Sequence, residues 1–212
     1  MKQKLVVFEG IDGCGKTSVI ELIKTFLNNA RISYYLSYEP GNQFGKMAKF
    51  GTSGLTSKDD IYLWWLARRF EQNLFVNKEY NIILKDRYYD STYVYQNFKD
   101  TYLEQHNFDE NYFMKPDLTI FLDVNPEIAI KRMINRNKNG NTKKDLYETS
   151  NIDILKERIK LFNEIIDKHS NWRDFEIINT NDKTIAEIAA TAFTYILRII
   201  DNHSMFIDEE NL

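Results

Sequence analysis

The sequence predicts an α/β protein built on a five-stranded parallel β-sheet that is flanked by helices on both faces. Two observations lead to this prediction. Short apolar runs rich in β-branched residues alternate along the chain with longer segments of helical apolar periodicity. The first apolar run, 5–8, passes through a glycine-rich turn directly into a helical pattern. Strands separated by helices form parallel sheets, because each crossover returns the chain in the same direction.

The predicted elements follow one another at short intervals. Ser57 is a candidate N-cap with an acidic residue, Asp60, three positions later, a spacing typical of helix starts. Pro126 suits the first turn of a helix, where no backbone N–H bond is lost. The predicted strands are 5–8, 33–38, 82–84, 118–122 and 175–178, and the predicted helices are 17–28, 57–77, 126–135, 152–168 and 184–200.

Composition and charge favour a single domain over residues 1–212. Hydrophobic residues make up 43% of the 212 residues and charged residues 28%, which allows a packed core. The net charge is −3, and no basic run indicates nucleic acid as a partner. The lone cysteine, Cys14, excludes a disulfide framework, and no apolar stretch approaches the roughly 20 residues that span a bilayer. We therefore expect a soluble, cytoplasmic protein without a membrane partner.

One stretch, about 136–150, has neither helical nor strand periodicity. It contains glycine and several asparagines, followed by Lys143 and Lys144. It is either a solvated surface loop or a mobile lid over a binding site. The polar and acidic end of the chain, 201–212, is expected to fray.

Residues 10–17 fit the pattern G-x-x-x-x-G-K-[ST] of a phosphate-binding loop, or P-loop. The pattern follows a predicted strand and opens a predicted helix, which is the context it requires. Glycines let backbone N–H groups surround phosphate oxygens, and the helix directs its positive end at the same anion. Lys16 is expected to neutralise the β- and γ-phosphates, and Thr17 to help hold Mg²⁺. Cys14 is interpreted as a small residue that fits the loop rather than as a redox thiol. The predicted fold is therefore a P-loop NTPase, a three-layer sandwich.

The segment after the third predicted strand, 85–96, carries the other candidate catalytic residues. Asp86 falls at the tip of a parallel strand, the edge of the sheet where ligands bind. It could orient Mg²⁺, and Arg87 could bind an acceptor phosphate in a bidentate manner. Tyr95 and neighbouring tyrosines offer flat walls for a nucleoside. The alternative is a surface ion pair followed by an amphipathic helix.

Several segments of this chain resemble the thymidylate kinase family of nucleoside monophosphate kinases. They occur in the family's order and cover roughly residues 4–180. The segments are the phosphate loop 8–17, the acid–proline–glycine stretch 39–41, the Ala67-Arg68-Arg69 stretch, the segment 86–96 and the fourth strand 116–124.

The resemblance implies a complete site for ATP and dTMP. Asp12 would bind the 3′-hydroxyl of the deoxyribose, Arg69 and Trp65 would bind and stack on the thymine, and Tyr95 would lie under the sugar. Without this context, core packing explains Trp65 better than a binding role does. The implied ATP-binding residues are Gly10, Asp12, Gly13, Cys14, Gly15, Lys16, Thr17, Ser18 and Asn179. The implied dTMP-binding residues are Asp12, Glu39, Trp65, Arg69, Arg87, Thr92, Tyr95 and Gln96.

The chain departs from the family pattern at three places. Tyr38 stands where relatives have an arginine, and the stretch 145–148 lacks the arginine that ends many lids. Gly13 occupies a position at which some relatives carry an arginine. In that subclass the lid supplies the positive charge, which makes Arg136, Lys143 and Lys144 the candidates and Arg136 the best match.

The function that the resemblance implies is transfer of the γ-phosphoryl group of ATP to dTMP, giving dTDP for dTTP synthesis. Lys16, Asp86, Arg87 and Arg136 would form the catalytic set, with Mg²⁺ as cofactor and a homodimer as the assembly. Three alternatives remain open. The first is a kinase for another acceptor, such as dUMP, another deoxynucleotide or a deoxynucleoside. The second is a P-loop switch that binds partners, and the third is a non-catalytic nucleotide-binding homologue.

Overall fold

A computed structural model of the chain describes residues 3–38, 79–96, 114–138 and 151–201. These residues form five strands and five helices that alternate along most of the chain. The strands are β1 (Lys4–Glu9), β2 (Tyr34–Tyr38), β3 (Ile82–Asp86), β4 (Leu118–Asp123) and β5 (Phe175–Asn179). The helices are α1 (Lys16–Asn29), α2 (Tyr89–Gln96), α3 (Pro126–Lys138), α4 (Ile152–His169) and α5 (Ile185–Asp201).

The five strands form one parallel sheet in the order β2-β3-β1-β4-β5. Strand β1 lies at the centre, with Phe8 opposite Asp86 of β3 and Glu9 opposite Phe121 of β4. The carboxyl ends of β1 and β3 therefore meet at one edge of the sheet, immediately before the loops 10–15 and 87–88. The predicted fold class, a parallel sheet flanked by helices, is confirmed.

The core is divided by the alternation of side chains along the central strand. Val6 and Phe8 point into the larger cluster of buried apolar side chains, whereas Leu5 and Val7 pack with Tyr88 in a smaller one. This alternation is what a strand buried on both faces requires. It explains why β1 reads as a continuous apolar run in the sequence.

Helices α1 and α5 pack against each other, and α3 and α4 complete the larger core. The rings of Phe26 in α1 and Phe193 in α5 lie 5.4 Å apart, and those of Phe121 in β4 and Phe162 in α4 lie 5.2 Å apart. The first contact joins α1 to α5, and the second joins α4 to the sheet.

The observed boundaries refine the predicted ones. The stretch 136–150 was expected to lack periodic structure, but α3 continues through Lys138, so its first three residues are helical. Residues 139–150, the predicted helix 57–77 and the tail after Asp201 lie outside the described residues. In the part of the chain that the structure describes, no helix is both long and apolar enough to cross a membrane.

Candidate nucleotide site

The loop between β1 and α1 has the backbone conformation of an anion-binding cradle. Gly15 is the N-cap of α1, and its φ of 101° is left-handed although no atom would obstruct a side chain there. Gly13 has a φ of 83°, and a Cβ atom at this position would lie 2.5 Å from the carbonyl oxygen of Ala129 in α3. At position 15 the left-handed conformation alone requires glycine. At position 13 both the conformation and the lack of space for a Cβ atom require it.

The ammonium group of Lys16 is held inside this loop. Its Nζ donates hydrogen bonds to the carbonyl oxygens of Gly10 (2.7 Å) and Ile11 (3.1 Å) and contacts the Sγ atom of Cys14 at 3.3 Å. The Lys16 side chain is buried. Cys14 is buried, which agrees with its interpretation as a small residue that fits the loop. The loop thus concentrates a positive charge at the N-terminus of α1, where the helix also favours an anion.

Thr17 and Asp86 bring two oxygen ligands together at the sheet edge. The Thr17 hydroxyl donates to Oδ2 of Asp86 at 3.2 Å. Mg²⁺ in kinases takes one or two protein ligands of this kind and completes its shell with phosphates and water. The pair therefore fits the metal site expected from the sequence. Among the described residues no three His, Cys, Asp or Glu side chains are grouped as a metal site.

Arg87 follows β3 directly, and its backbone has a left-handed φ of 74°. This conformation turns its side chain toward the phosphate loop. Nη2 donates to Oδ1 of Asp12 (2.8 Å) and to the Tyr95 hydroxyl (3.1 Å), while Nη1 donates to Ser91 Oγ (3.0 Å) and to the Gly10 carbonyl (3.4 Å). These contacts join the loop 10–15, the end of β3 and helix α2 in one cluster.

Two arginines contact the ring of Tyr95 in α2. The guanidinium carbon of Arg87 lies 4.4 Å from the ring centroid and that of Arg158 in α4 lies 4.2 Å from it. Arg158 also places Nη1 3.8 Å from Oδ2 of Asp12. Burial raises the pKa of the Tyr95 hydroxyl, which keeps it neutral and able to donate. Arg158 was not predicted from the sequence.

A buried carboxyl group, Glu9, holds the start of α2. Its Oε1 accepts hydrogen bonds from the backbone N–H groups of Tyr88 (2.7 Å) and Ser91 (3.2 Å), and its Oε2 accepts from the Ser91 hydroxyl. Burial, and then the charge of Asp90, raise the pKa of Glu9 to about 7. Because Glu9 fixes the residues that flank Arg87, it supports the strained conformation of that arginine.

A buried ion pair between Asp90 and Arg173 holds helix α2 in place. Nη2 of Arg173 lies 2.6 Å and 2.7 Å from the two carboxylate oxygens of Asp90. Both side chains are almost completely buried. The guanidinium group also lies over the rings of Tyr89 and Phe175. The pair ties α2 to the segment that leads into β5.

The phosphate loop forms one side of a cleft of about 620 Å³. Helix α3 and the turn before α5 form the other side. The cleft is lined by residues 12–19, Asp86, Arg87, Arg132, Met133, Arg136, Lys183, Thr184, Ile185 and Ile188.

The structure brings most of the described candidates to this edge of the sheet. The loop residues 10–17, Ser18, Asp86, Arg87 and Arg136 line or adjoin the cleft, and Tyr95 lies beside Arg87. Thr92 is buried on α2. Glu39, Trp65, Arg69, Lys143 and Lys144 lie outside the described residues, as does the side chain of Gln96.

Asn179 ends β5, and its expected contact with ATP stays a prediction. It does not line the cleft; its side-chain Oδ1 accepts from the backbone N–H of Asn181 at 3.1 Å and so stabilises the turn after β5. The residues of this turn that reach the cleft are Lys183 and Thr184. Arg132, also not predicted, donates to the Thr180 carbonyl at 2.6 Å and fixes the same turn from α3.

Comparison with known proteins identifies the family. A model of the thymidylate kinase family matches residues 8–189. The thymidylate kinase of Ligilactobacillus salivarius is 34% identical over 155 residues, which cover 66% of this chain and 74% of the relative. The probable thymidylate kinase of Archaeoglobus fulgidus is 35% identical over 63% of this chain and 71% of its own length. That of Methanococcus aeolicus is 29% identical over 87% of this chain and 91% of its own. The chain therefore belongs to the thymidylate kinase family.

Proposed function

We propose that this chain transfers the γ-phosphoryl group of ATP to the 5′-phosphate of dTMP, giving dTDP for dTTP synthesis. The observation that carries the proposal is the cluster of Asp12, Arg87 and Tyr95 beside the phosphate loop. A loop that binds a triphosphate is common to many P-loop proteins. At its edge, the guanidinium group of Arg87 suits a phosphate, and Asp12 and Tyr95 suit a sugar with a free hydroxyl, which together fit a nucleoside monophosphate acceptor.

On the donor side, the phosphates of ATP would bind the backbone N–H groups of the loop 10–15 and the ammonium group of Lys16. The adenosine part would lie in the cleft between α3 and the turn before α5, near Lys183 and Thr184. Thr17 and Asp86 would hold Mg²⁺, which supplies positive charge to the β- and γ-phosphates when it is bound.

On the acceptor side, Arg87 would bind the 5′-phosphate of dTMP and Asp12 would accept a hydrogen bond from the 3′-hydroxyl. Tyr95 would lie against the sugar. The thymine contacts proposed for Trp65, Arg69 and Thr92 rest on the family resemblance.

The chemical step needs little help from a general base, because the acceptor phosphate is already an anion. The difficulty is to bring two polyanions together and to stabilise the charge that spreads in the transition state. Lys16, Arg87 and Arg136 would supply that positive charge. The stretch 139–150 would act as a lid that excludes water and so suppresses ATP hydrolysis.

Two further features belong to the same proposal. The family resemblance implies a homodimer, which sedimentation or light scattering would test. We place the reaction in the cytoplasm, since the single, unpaired cysteine suits a reducing compartment.

The proposal is tested with a panel of acceptors in a coupled assay of ATP consumption. The panel contains dTMP, dUMP, another deoxynucleotide and thymidine, and Lys16→Met serves as the inactive control. We expect dTMP to give the highest kcat/KM, and Arg87→Ala to lower it by about 100-fold or more, which is typical for loss of one hydrogen-bond donor to transition-state charge. A preference for another acceptor, or unchanged kinetics in Arg87→Ala, would refute the corresponding part of the proposal.

A further inference from the structure

Arg158 is placed rigidly beside the acceptor cluster although it lies far from it in sequence. It belongs to α4, whose first turn is capped by Asn151 accepting a hydrogen bond from the backbone N–H of Asp153 at 2.9 Å. Leu155 and Phe162, one turn before and after Arg158, are buried in the core. The face of α4 that carries Arg158 is thereby fixed against the sheet, and only 15% of the Arg158 side chain is exposed.

Arg158 and Arg87 share the two groups that the acceptor sugar would meet. Arg87 pairs with Oδ1 of Asp12 at 2.8 Å, and Arg158 lies 3.8 Å from Oδ2 of the same carboxylate. Both guanidinium groups also contact the ring of Tyr95. Asp12 and Tyr95 are thus each in contact with two arginines.

The two arginines differ in how completely their donors are used. Both terminal nitrogens of Arg87 make hydrogen bonds, to Asp12, Tyr95, Ser91 and Gly10. The Nη1 atom of Arg158 is buried and makes no hydrogen bond to any described residue. A buried donor without a partner is unfavourable, and this one is directed toward the carboxylate that Arg87 already occupies.

Binding of the acceptor changes which of the two arginines contacts Asp12. If Arg87 turns to the 5′-phosphate, it must give up some of its present hydrogen bonds. The bond to Asp12 is the one given up, because the carboxylate and the phosphate compete for the positive charge of Arg87. The carboxylate would then lose its 2.8 Å contact with Arg87 while it is needed by the sugar. Arg158 can replace Arg87 by a movement of about 1 Å, which shortens the 3.8 Å separation to the distance of a charge-assisted hydrogen bond.

We propose that Arg158 is a positioning residue that takes over Asp12 when Arg87 binds the acceptor phosphate. Held by Arg158 through Oδ2, the carboxylate of Asp12 can accept hydrogen bonds but cannot donate them. It is then oriented to receive the 3′-hydroxyl of the acceptor sugar. The inference rests on the proposed function, because it assigns Arg158 to the dTMP site.

The proposal predicts that Arg158 acts only on acceptors that carry a 3′-hydroxyl. Equilibrium binding of dTMP and of 3′-deoxythymidine monophosphate is measured by calorimetry without ATP, for the wild type, Arg158→Gln and Arg158→Lys. We expect Arg158→Gln to weaken dTMP binding by about tenfold, the usual size of one charge-assisted contact, and to leave binding of the 3′-deoxy analogue within about twofold. Arg158→Lys, which keeps the charge, should fall between.

The matched control is Lys160→Gln, a cation on the exposed side of the same helix, which should bind both nucleotides as the wild type does. Equal losses for both nucleotides in Arg158→Gln would show a merely structural role, and no loss would remove Arg158 from the site. If Arg158→Gln fails to fold by circular dichroism, the same comparison with Arg158→Lys decides. Phosphorylation of dTMP by the wild type is measured first, because its absence refutes the proposed function and not the role of Arg158 alone.

Discussion

The buried carboxyl group of Glu9 makes the stability of this protein depend on pH in a direction that can be worked out from the structure. Glu9 is 1% exposed and holds the start of α2 through the N–H groups of Tyr88 and Ser91. Burial, and after it repulsion from Asp90, raises the pKa of Glu9 from 4.5 to about 7. Replacement by glutamine keeps an acceptor for the two N–H groups and removes the titration.

The direction of this pH dependence follows from the pKa of Glu9 in the folded and in the unfolded chain. The unfolded chain releases the Glu9 proton near pH 4.5, whereas the folded chain keeps it until about pH 7. Between these values the folded protein binds more protons, so its stability falls as the pH rises. The two pKa values differ by about 2.5, and each pKa unit corresponds to about 1.4 kcal/mol. Ionised Glu9 therefore costs about 3 kcal/mol of stability above pH 7 relative to acidic solution.

The test is urea denaturation of the wild type and Glu9→Gln at pH 5 and pH 8. Groups that titrate in both proteins cancel in the difference between their free energies of unfolding. We expect this difference to shift by about 2 to 3 kcal/mol between the two pH values, with the wild type losing stability. Glu164→Gln, a change in an exposed carboxyl group of α4, is the control and should show no such shift. A difference for Glu9→Gln that does not vary with pH, or that varies in the opposite direction, would refute the reasoning.

Three further predictions concern the supports of the site. Gly13→Ala should lower the melting temperature and weaken ATP binding, because its Cβ would lie 2.5 Å from the Ala129 carbonyl oxygen; a cost of about 2 kcal/mol or more is expected from the clash and the left-handed φ. Asp90→Asn should destabilise the protein by about 3 to 5 kcal/mol, because it leaves the buried charge of Arg173 unpaired; urea denaturation measures this, and Asp90→Leu combined with Arg173→Met should recover much of the loss. Arg136→Gln should lower kcat by about tenfold or more without changing dTMP affinity, and steady-state kinetics with binding calorimetry separates the two effects.

The fold could be predicted because its signals are local. The run Leu5–Phe8 is apolar without interruption since β1 is buried on both faces, and α1 and α5 each carry an apolar stripe that packs on the sheet. The end of α3 was the least accurate boundary. Its last residues are polar, so no apolar periodicity marks them as helical, although the backbone continues to Lys138.

The site could be predicted where its residues are contiguous in sequence. The phosphate loop and the segment after β3 each present several candidate site residues in a row. By contrast, Glu9 meets Ser91 across 82 positions and Asp90 meets Arg173 across 83, and nothing in either segment alone specifies its partner. Arg158 had one usable signal. A charged residue between buried positions of a helical stripe lies on the packed face, where a guanidinium group needs a partner.

The packing of the phosphate loop explains why any cation in addition to Lys16 must come from outside the loop. The family resemblance places an arginine at position 13 in some relatives. Here Gly13 approaches the Ala129 carbonyl so closely that no side chain fits without displacing α3. The same helix carries Arg132 and Arg136 to the cleft, about one and two turns beyond Ala129. Close packing of α3 on the loop therefore excludes an arginine at position 13, whereas α3 itself places Arg132 and Arg136 at the cleft. On this reasoning Gly13 and Arg136 form a linked pair, and an arginine introduced at position 13 should not rescue Arg136→Gln, because the substitution displaces the helix on which the rest of the donor site depends.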